Sequence, residues 1–135
     1  MKTKNYFVLS LLAIAFSFLS FTLYQIKPWV VPDKYVKMSN PVTSDAESLK
    51  EAKTIWVKHC QSCHGKTGKG DGTKAAQLEG EVGDLTTPEA QKQSDGSLFY
   101  KTLEGRDEMP SFKKKIASEE DVWLVVNFIR TLKGK

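Results

Sequence analysis

Cys60-Gln61-Ser62-Cys63-His64 holds both cysteines of this 135-residue chain and one of its two histidines. That spacing is the one that attaches c-type haem. Two thiols three positions apart can add across the two vinyl groups of one porphyrin, and the imidazole next in sequence is then placed to ligate iron from one face. The motif therefore points to a covalent cofactor, with Cys60 and Cys63 as thioethers and His64 as an axial ligand. Three other readings of the same residues are weaker. A thioredoxin-like redox pair needs a flanking βαβ pattern, which the neighbouring sequence lacks. A zinc site needs a second ligand pair, and there are no further cysteines. A disulfide would close too short a loop to stabilise much and leaves His64 unexplained.

Ahead of the motif lies a second strong constraint. From Tyr6 to Ile26 the chain reads YFVLSLLAIAFSFLSFTLYQI, without a charged residue. At ~1.5 Å rise per residue such a run crosses a bilayer core of ~30 Å. A signal peptide would have a shorter apolar stretch and a small-x-small cleavage site, so the run is expected to be an uncleaved transmembrane helix, with residues 1–26 as membrane anchor. Lys2 and Lys4 precede the run and favour a cytoplasmic N-terminus, although Lys27, Lys34 and Lys37 on its far side weaken the asymmetry. The net charge of +4 arises entirely in residues 1–43, where five lysines face one acid, Asp33. The remainder is balanced, so the basic character belongs to the anchor and its flanks, where lysines can meet anionic headgroups. Nucleic-acid binding has no support in that distribution.

Residues 27–43 contain Pro28, Pro32 and Pro41 and show no sustained period, which predicts a partly extended tether reaching at most ~55 Å. Trp29 and Tyr35 are placed to sit at the membrane interface. The domain proper is expected over 44–135. Ser44-Asp45-Ala46-Glu47 matches a capping box and opens a helix to about His59, with Leu49, Ala52, Ile55 and Trp56 on one side. The glycines of HGKTGKGDG then forbid regular helix and suit a loop folded closely around a flat cofactor. A short helix is expected over Thr73–Leu78, another over Leu98–Leu103 closed by Gly105, and a last one from Ser118 to about Leu132. That last helix carries Val122, Val125, Val126, Ile129 and Leu132 on one face, and acids in its first turn. No segment alternates as a strand should, so the fold class is all-α. So small a domain is marginal without a large apolar object to pack on.

Taken together, Ala52-x-x-x-Trp56-x-x-x-Cys60, the haem motif, CHGKTGKGDG, GRDEMPSF at 105–112 and EEDVWLVVNFIRTL resemble the class I cytochromes c. Within them they resemble the short bacterial, membrane-anchored type related to the haem c domains of cbb3-type oxidases, over about residues 46–132. The resemblance implies a small helical domain wrapped around one covalent haem c. It implies a first and last helix crossing where Ala52 and Trp56 meet Val125 and Phe128. It also implies assembly outside the cytoplasmic membrane, hence a single-pass protein with its haem domain facing the periplasm. Gly72-Thr73 stands where many relatives have Gly-Pro, so the turn is less rigid by sequence, although a backbone carbonyl could still orient the His64 imidazole.

In that context Met109 is the expected second axial ligand, held by Pro110 toward an extended conformation. Soft core packing is its alternative role, and Met38, upstream of the first helix, is the other candidate methionine. His59 is a weaker competitor. Asp107 and Glu108 read as solvated loop charges, Phe99, Tyr100 and Phe112 as haem-pocket walls, and Lys113-Lys114-Lys115 as either a docking rim or ordinary surface. With both axial positions filled no substrate or oxygen can bind. The expected function is then single-electron transfer in a respiratory chain, between redox partner proteins such as a quinol-oxidising complex and a terminal oxidase, not enzymatic catalysis. A fixed haem subunit of such a complex is the runner-up, and a gas-binding or peroxidase haem protein is the third reading.

Overall fold

The computed structural model describes residues 28–134. The run from Tyr6 to Ile26, and the anchor expected there, lie outside the described residues. Among the described residues no helix is long and apolar enough to cross a membrane. A compact unit begins at Val31.

Its frame is a pair of capped helices. Helix α2 (Ala46–His59) starts at Asp45, whose carboxylate accepts from the backbone N–H of Glu47 and Ser48, while Ser48 Oγ accepts from Asp45 N–H. The capping box thus sits one residue later than the sequence pattern suggests. The Ser48 hydroxyl closes the reciprocal bond that the pattern assigns to Glu47, and also donates to Thr43 O at 2.8 Å. Helix α6 (Glu119–Arg130) starts at Ser118, whose hydroxyl accepts from Asp121 N–H, with three acids in the first turn where the helix dipole favours them. The two helices pack on each other where Ala52, fully buried, removes side-chain bulk, and where Trp56 and Phe128 rings meet with centroids 5.0 Å apart. The expected crossing is therefore present. Each fully buried Trp56, Phe99 or Leu132 side chain contributes roughly 1.5–3 kcal/mol by leaving water.

Helix α5 (Asp95–Glu104) is capped by the Ser94 hydroxyl and stopped by Gly105, whose φ of 69° a side chain would resist. Helix α4 (Pro88–Gln91) escaped sequence reading, being a single turn with Pro at its first position. Arg130 ties these elements together. Its guanidinium donates to the Asp95 carboxylate at 2.8 and 2.6 Å, to Gln91 O at 2.8 Å and to Gln93 O at 2.6 Å, joining the end of α6 to the start of α5 and the end of α4.

The segment expected as an extended tether differs in its second part. Asp33–Val36 forms a single helical turn, α1, and its Tyr35 ring lies against Phe99 (6.4 Å) and Tyr100 (4.7 Å) rather than outward. The Tyr35 carbonyl rests on Gly96, where a Cβ would collide with it. Asn40 donates to Trp123 O and Asn127 Oδ1, and Asn127 donates back to Val42 O at 3.1 Å. These contacts join residues more than eighty positions apart, which is why no local period announces them. Apart from an isolated bridge between Arg106 and Met109, the regular structure among the described residues is helical.

Candidate haem-binding site

Cys60 ends α2 and begins α3 (Gln61–His64). The N–H groups of Cys63 and His64 both donate to Cys60 O, at 3.2 and 2.9 Å. A helical turn brings positions i, i+3 and i+4 to one side, so Cys60, Cys63 and His64 share a face. Short helices leave their last carbonyls unpaired, and the glycine loop resolves that. Gly65 N–H donates to Gln61 O, Lys74 N–H to Ser62 O, Gly72 N–H to Cys63 O, and Gly70 N–H to His64 O, all between 2.8 and 3.1 Å. Gly72 has to be glycine, because a Cβ there would strike the backbone of Ser62 and Cys63. Trp56, fully buried on α2, donates its indole N–H to Gly65 O at 3.1 Å and lays its ring 5.8 Å from the His64 imidazole.

Both cysteines are free thiols. Burial, and then the neighbouring Cys63, push the Cys60 thiol up to about 12, so it is protonated in this fold. Burial likewise lowers the His64 pKa and keeps the ring neutral, the form that ligates metal. Its Nδ1 is buried without a hydrogen-bond partner. The carbonyl expected to orient this ring is thus not engaged; the loop spends its N–H groups on the α3 carbonyls instead. A buried polar atom left unpaired costs ~1–3 kcal/mol.

Met109 closes a tight turn, its N–H and C=O exchanging bonds of 2.9 Å with those of Arg106. Asp107 takes φ 52°, unusual for a residue with a side chain. Ser111 Oγ and Phe112 N–H both donate to Leu103 O, fastening the loop to α5. Met109 packs, half-buried, against the apolar cluster that includes Trp56, Cys60, Leu103 and Phe112. The donor set fits haem c: two thiols and an imidazole on one turn, one imidazole nitrogen without a protein partner, and a thioether against the same cluster.

The other candidates are distributed as follows. Met38 is exposed in the docked segment, with its Cβ beside Gly96. His59 lies edge-on to Phe112 at 6.0 Å, and burial, with Lys58 and Lys115 nearby, lowers its pKa. Phe99 stacks on Trp123 at 4.1 Å. Lys113 pairs with Glu104 at 2.6 Å and Lys115 lies over the Phe112 ring, so the lysine run is not uniformly free. Asp107 is open beside Arg106. Glu108 is not simply solvated: it accepts from Gly80 N–H at 3.0 Å, a link across 28 positions that no sequence signal marks. A cleft of ≈ 470 Å³ beside the glycine loop, walled by Ala75, Ala76, Glu81 and Val82 among others, contains none of the four candidate ligands.

A family model described as cytochrome C oxidase, cbb3-type, subunit III matches residues 47–129. The chain belongs to this family. It is a class I haem c domain related to the cbb3 oxidases, and the family implies haem c as its cofactor and electron transport as its chemistry. Among solved structures, the chain is similar to the reducing HAO-like protein complex of Kuenenia stuttgartiensis, with 24% identity and a TM-score of 0.63. The match covers 84% of this chain and 54% of that one, so the cytochrome spans about half the length of its structural relative, and at that identity the likeness is one of fold. A comparison with curated proteins finds no match.

Proposed function

We propose that this protein is a membrane-tethered, mono-haem cytochrome c that carries single electrons between respiratory complexes on the periplasmic side of the cytoplasmic membrane. The observation that carries the reading is the grouping of Cys60, Cys63 and His64 on one turn, with Met109 packed against the same apolar cluster. Haem c, when bound, supplies a one-electron couple at its iron. Cys60 and Cys63 would hold the ring, and His64 and Met109 would ligate its iron. Neutral imidazole and thioether together favour the ferrous state, and filling both positions leaves no place for substrate.

A spectrum of the reduced protein with and without carbon monoxide tests this. The carrier reading expects a six-coordinate, low-spin haem that takes up none; rapid stoichiometric uptake would turn the assignment toward a gas-binding or peroxidase protein. The tether is tested separately by a high-salt wash of membranes and N-terminal sequencing, and a mature N-terminus beyond residue 26 would mean a secreted protein.

The docked segment favours a second reading. Tyr35, Asn40 and Val42 hold this part of the expected tether against α5 and α6, so it belongs to the domain rather than to a loose linker. A tether shortened in this way suits a haem subunit fixed in a quinol-oxidising or terminal-oxidase complex. Stoichiometric co-purification from detergent-solubilised membranes would select that reading, and recovery of the cytochrome alone would select the mobile carrier.

A further inference from the structure

We propose that Trp56 is a positioning residue for the iron-ligating imidazole, acting on His64 from two directions and so setting the reduction potential. One direction is through the backbone. The indole N–H holds the carbonyl of Gly65, the residue directly after His64, at 3.1 Å. Gly65 is otherwise at a point of sharp reversal, with φ 80°, its own N–H on Gln61 O, and the Asp71 carboxylate where a Cβ would be. A bond at that carbonyl fixes where α3 ends, and with it where the His64 side chain departs. The other direction is through the ring. The indole lies 5.8 Å from the imidazole at 45°, restricting its rotation, while Phe128 of α6 backs the indole at 5.0 Å. A buried Trp N–H ordinarily finds a partner, but any carbonyl would satisfy it; the choice of Gly65 couples the α2–α6 crossing to the ligand.

This inference rests on His64 as an iron ligand. A wild-type ferric spectrum that is high-spin and lacks imidazole ligation would remove that premise, independently of what Trp56 does. With the premise intact, the test is Trp56→Phe in the full holo-chain, which keeps an aromatic face and deletes the N–H. Freeing the Gly65 carbonyl and admitting water beside the imidazole favours ferric iron. The midpoint potential should fall by at least a threefold change in the electron-exchange equilibrium constant, about 28 mV at 59 mV per tenfold for one electron. The ferric g-values and the shifted imidazole proton resonances should change with it. Asn127→Ala, which loosens the docked segment, is the control for lost stability alone: it should lower the melting temperature without moving potential or g-values. A Trp56→Phe protein with wild-type potential and g-values would overturn the proposal, whatever its stability. Should that variant not accumulate with haem, the wild type decides. Slow solvent exchange of the Trp56 indole proton in the reduced protein supports the bond to Gly65, and exchange as fast as an exposed indole overturns it.

Discussion

The two sides of the candidate site are built on different principles. On the cysteine side all four carbonyls of α3 are bonded by N–H groups from Gly65 to Lys74, and the turn is wedged between Trp56 and a loop that tolerates no Cβ at Gly72. On the methionine side the loop rests on a two-bond turn, two contacts to Leu103 O, and an exposed carboxylate reaching Gly80. Covalent attachment needs three groups in one register, and backbone hydrogen bonds supply that. A single thioether needs only to be delivered to a place, and a lightly held loop can deliver it. The first side should therefore fail globally when disturbed, and the second locally.

The largest expected effect is on the first side. Cys60→Ala with Cys63→Ala should abolish covalent haem and leave a poorly ordered domain, because a domain this small loses the object its helices pack on. Haem that survives denaturing electrophoresis of the double variant would sink the attachment assignment. Gly72→Ala should come next. Its methyl group meets the backbone of Ser62 and Cys63, which cannot give way without breaking the Gly72–Cys63 bond, so the holo-protein should lose ~2–4 kcal/mol. For a domain of this size that is a fall of ~10 °C or more in Tm. Gly83→Ala is the internal comparison: unlike Gly72 it has a positive φ, 77°, but open space around it, and should cost only the ~1–2 kcal/mol of a left-handed backbone. Equal losses at the two glycines would mean that the proximal loop is no stiffer than its neighbours.

Met109→Ala breaks the second side. Truncating a half-buried side chain should cost ~1–2 kcal/mol of packing, less than Gly72→Ala, yet change the chemistry more. The reduced variant should bind carbon monoxide stoichiometrically, have a lower potential and show adventitious peroxidase activity. If instead Met109→Ala keeps a closed six-coordinate haem, another side chain fills the position. Met38→Ala then tests the other methionine, even though that residue lies exposed against α5.

How much of this could be read from residues alone follows the same division. The haem motif was legible because its chemistry is local: five consecutive residues carry the thiols, the imidazole and the register. Helices α2, α5 and α6 were legible because Gly105, Ser118 and apolar stripes are local signals too, with α2 misplaced by one residue where Ser48 outcompetes Glu47 for the cap and α5 beginning at Asp95, three residues before the expected Leu98. What stayed hidden depends on partners remote in sequence. Tyr35 and Asn40 look like tether residues until Phe99 and Trp123 are beside them. The glycines of the loop announce flexibility, but only their bonds to the α3 carbonyls show that they build a rigid wall.

Glu108 offers the smallest and most discriminating break. Its carboxylate accepts from Gly80 N–H at 3.0 Å in an exposed setting, tying the methionine loop to the stretch that follows the glycine loop. An exposed bond of this kind is weakened by solvent competition, so Glu108→Gln, which keeps an acceptor of the same reach, should change stability by less than ~0.5 kcal/mol. Glu108→Ala removes the acceptor altogether. It too should leave global unfolding nearly untouched, because Gly80 N–H can turn to water. Its effect should appear in the loop alone, as a faster off-rate of the Met109 thioether, measured by the rate at which added imidazole displaces it from ferric iron. A several-fold acceleration in Glu108→Ala with wild-type behaviour in Glu108→Gln would show that the methionine side is held by individual, separable contacts. A matching fall in Tm would mean that the loop unfolds with the rest of the domain, and that the two sides of the site are one cooperative unit after all.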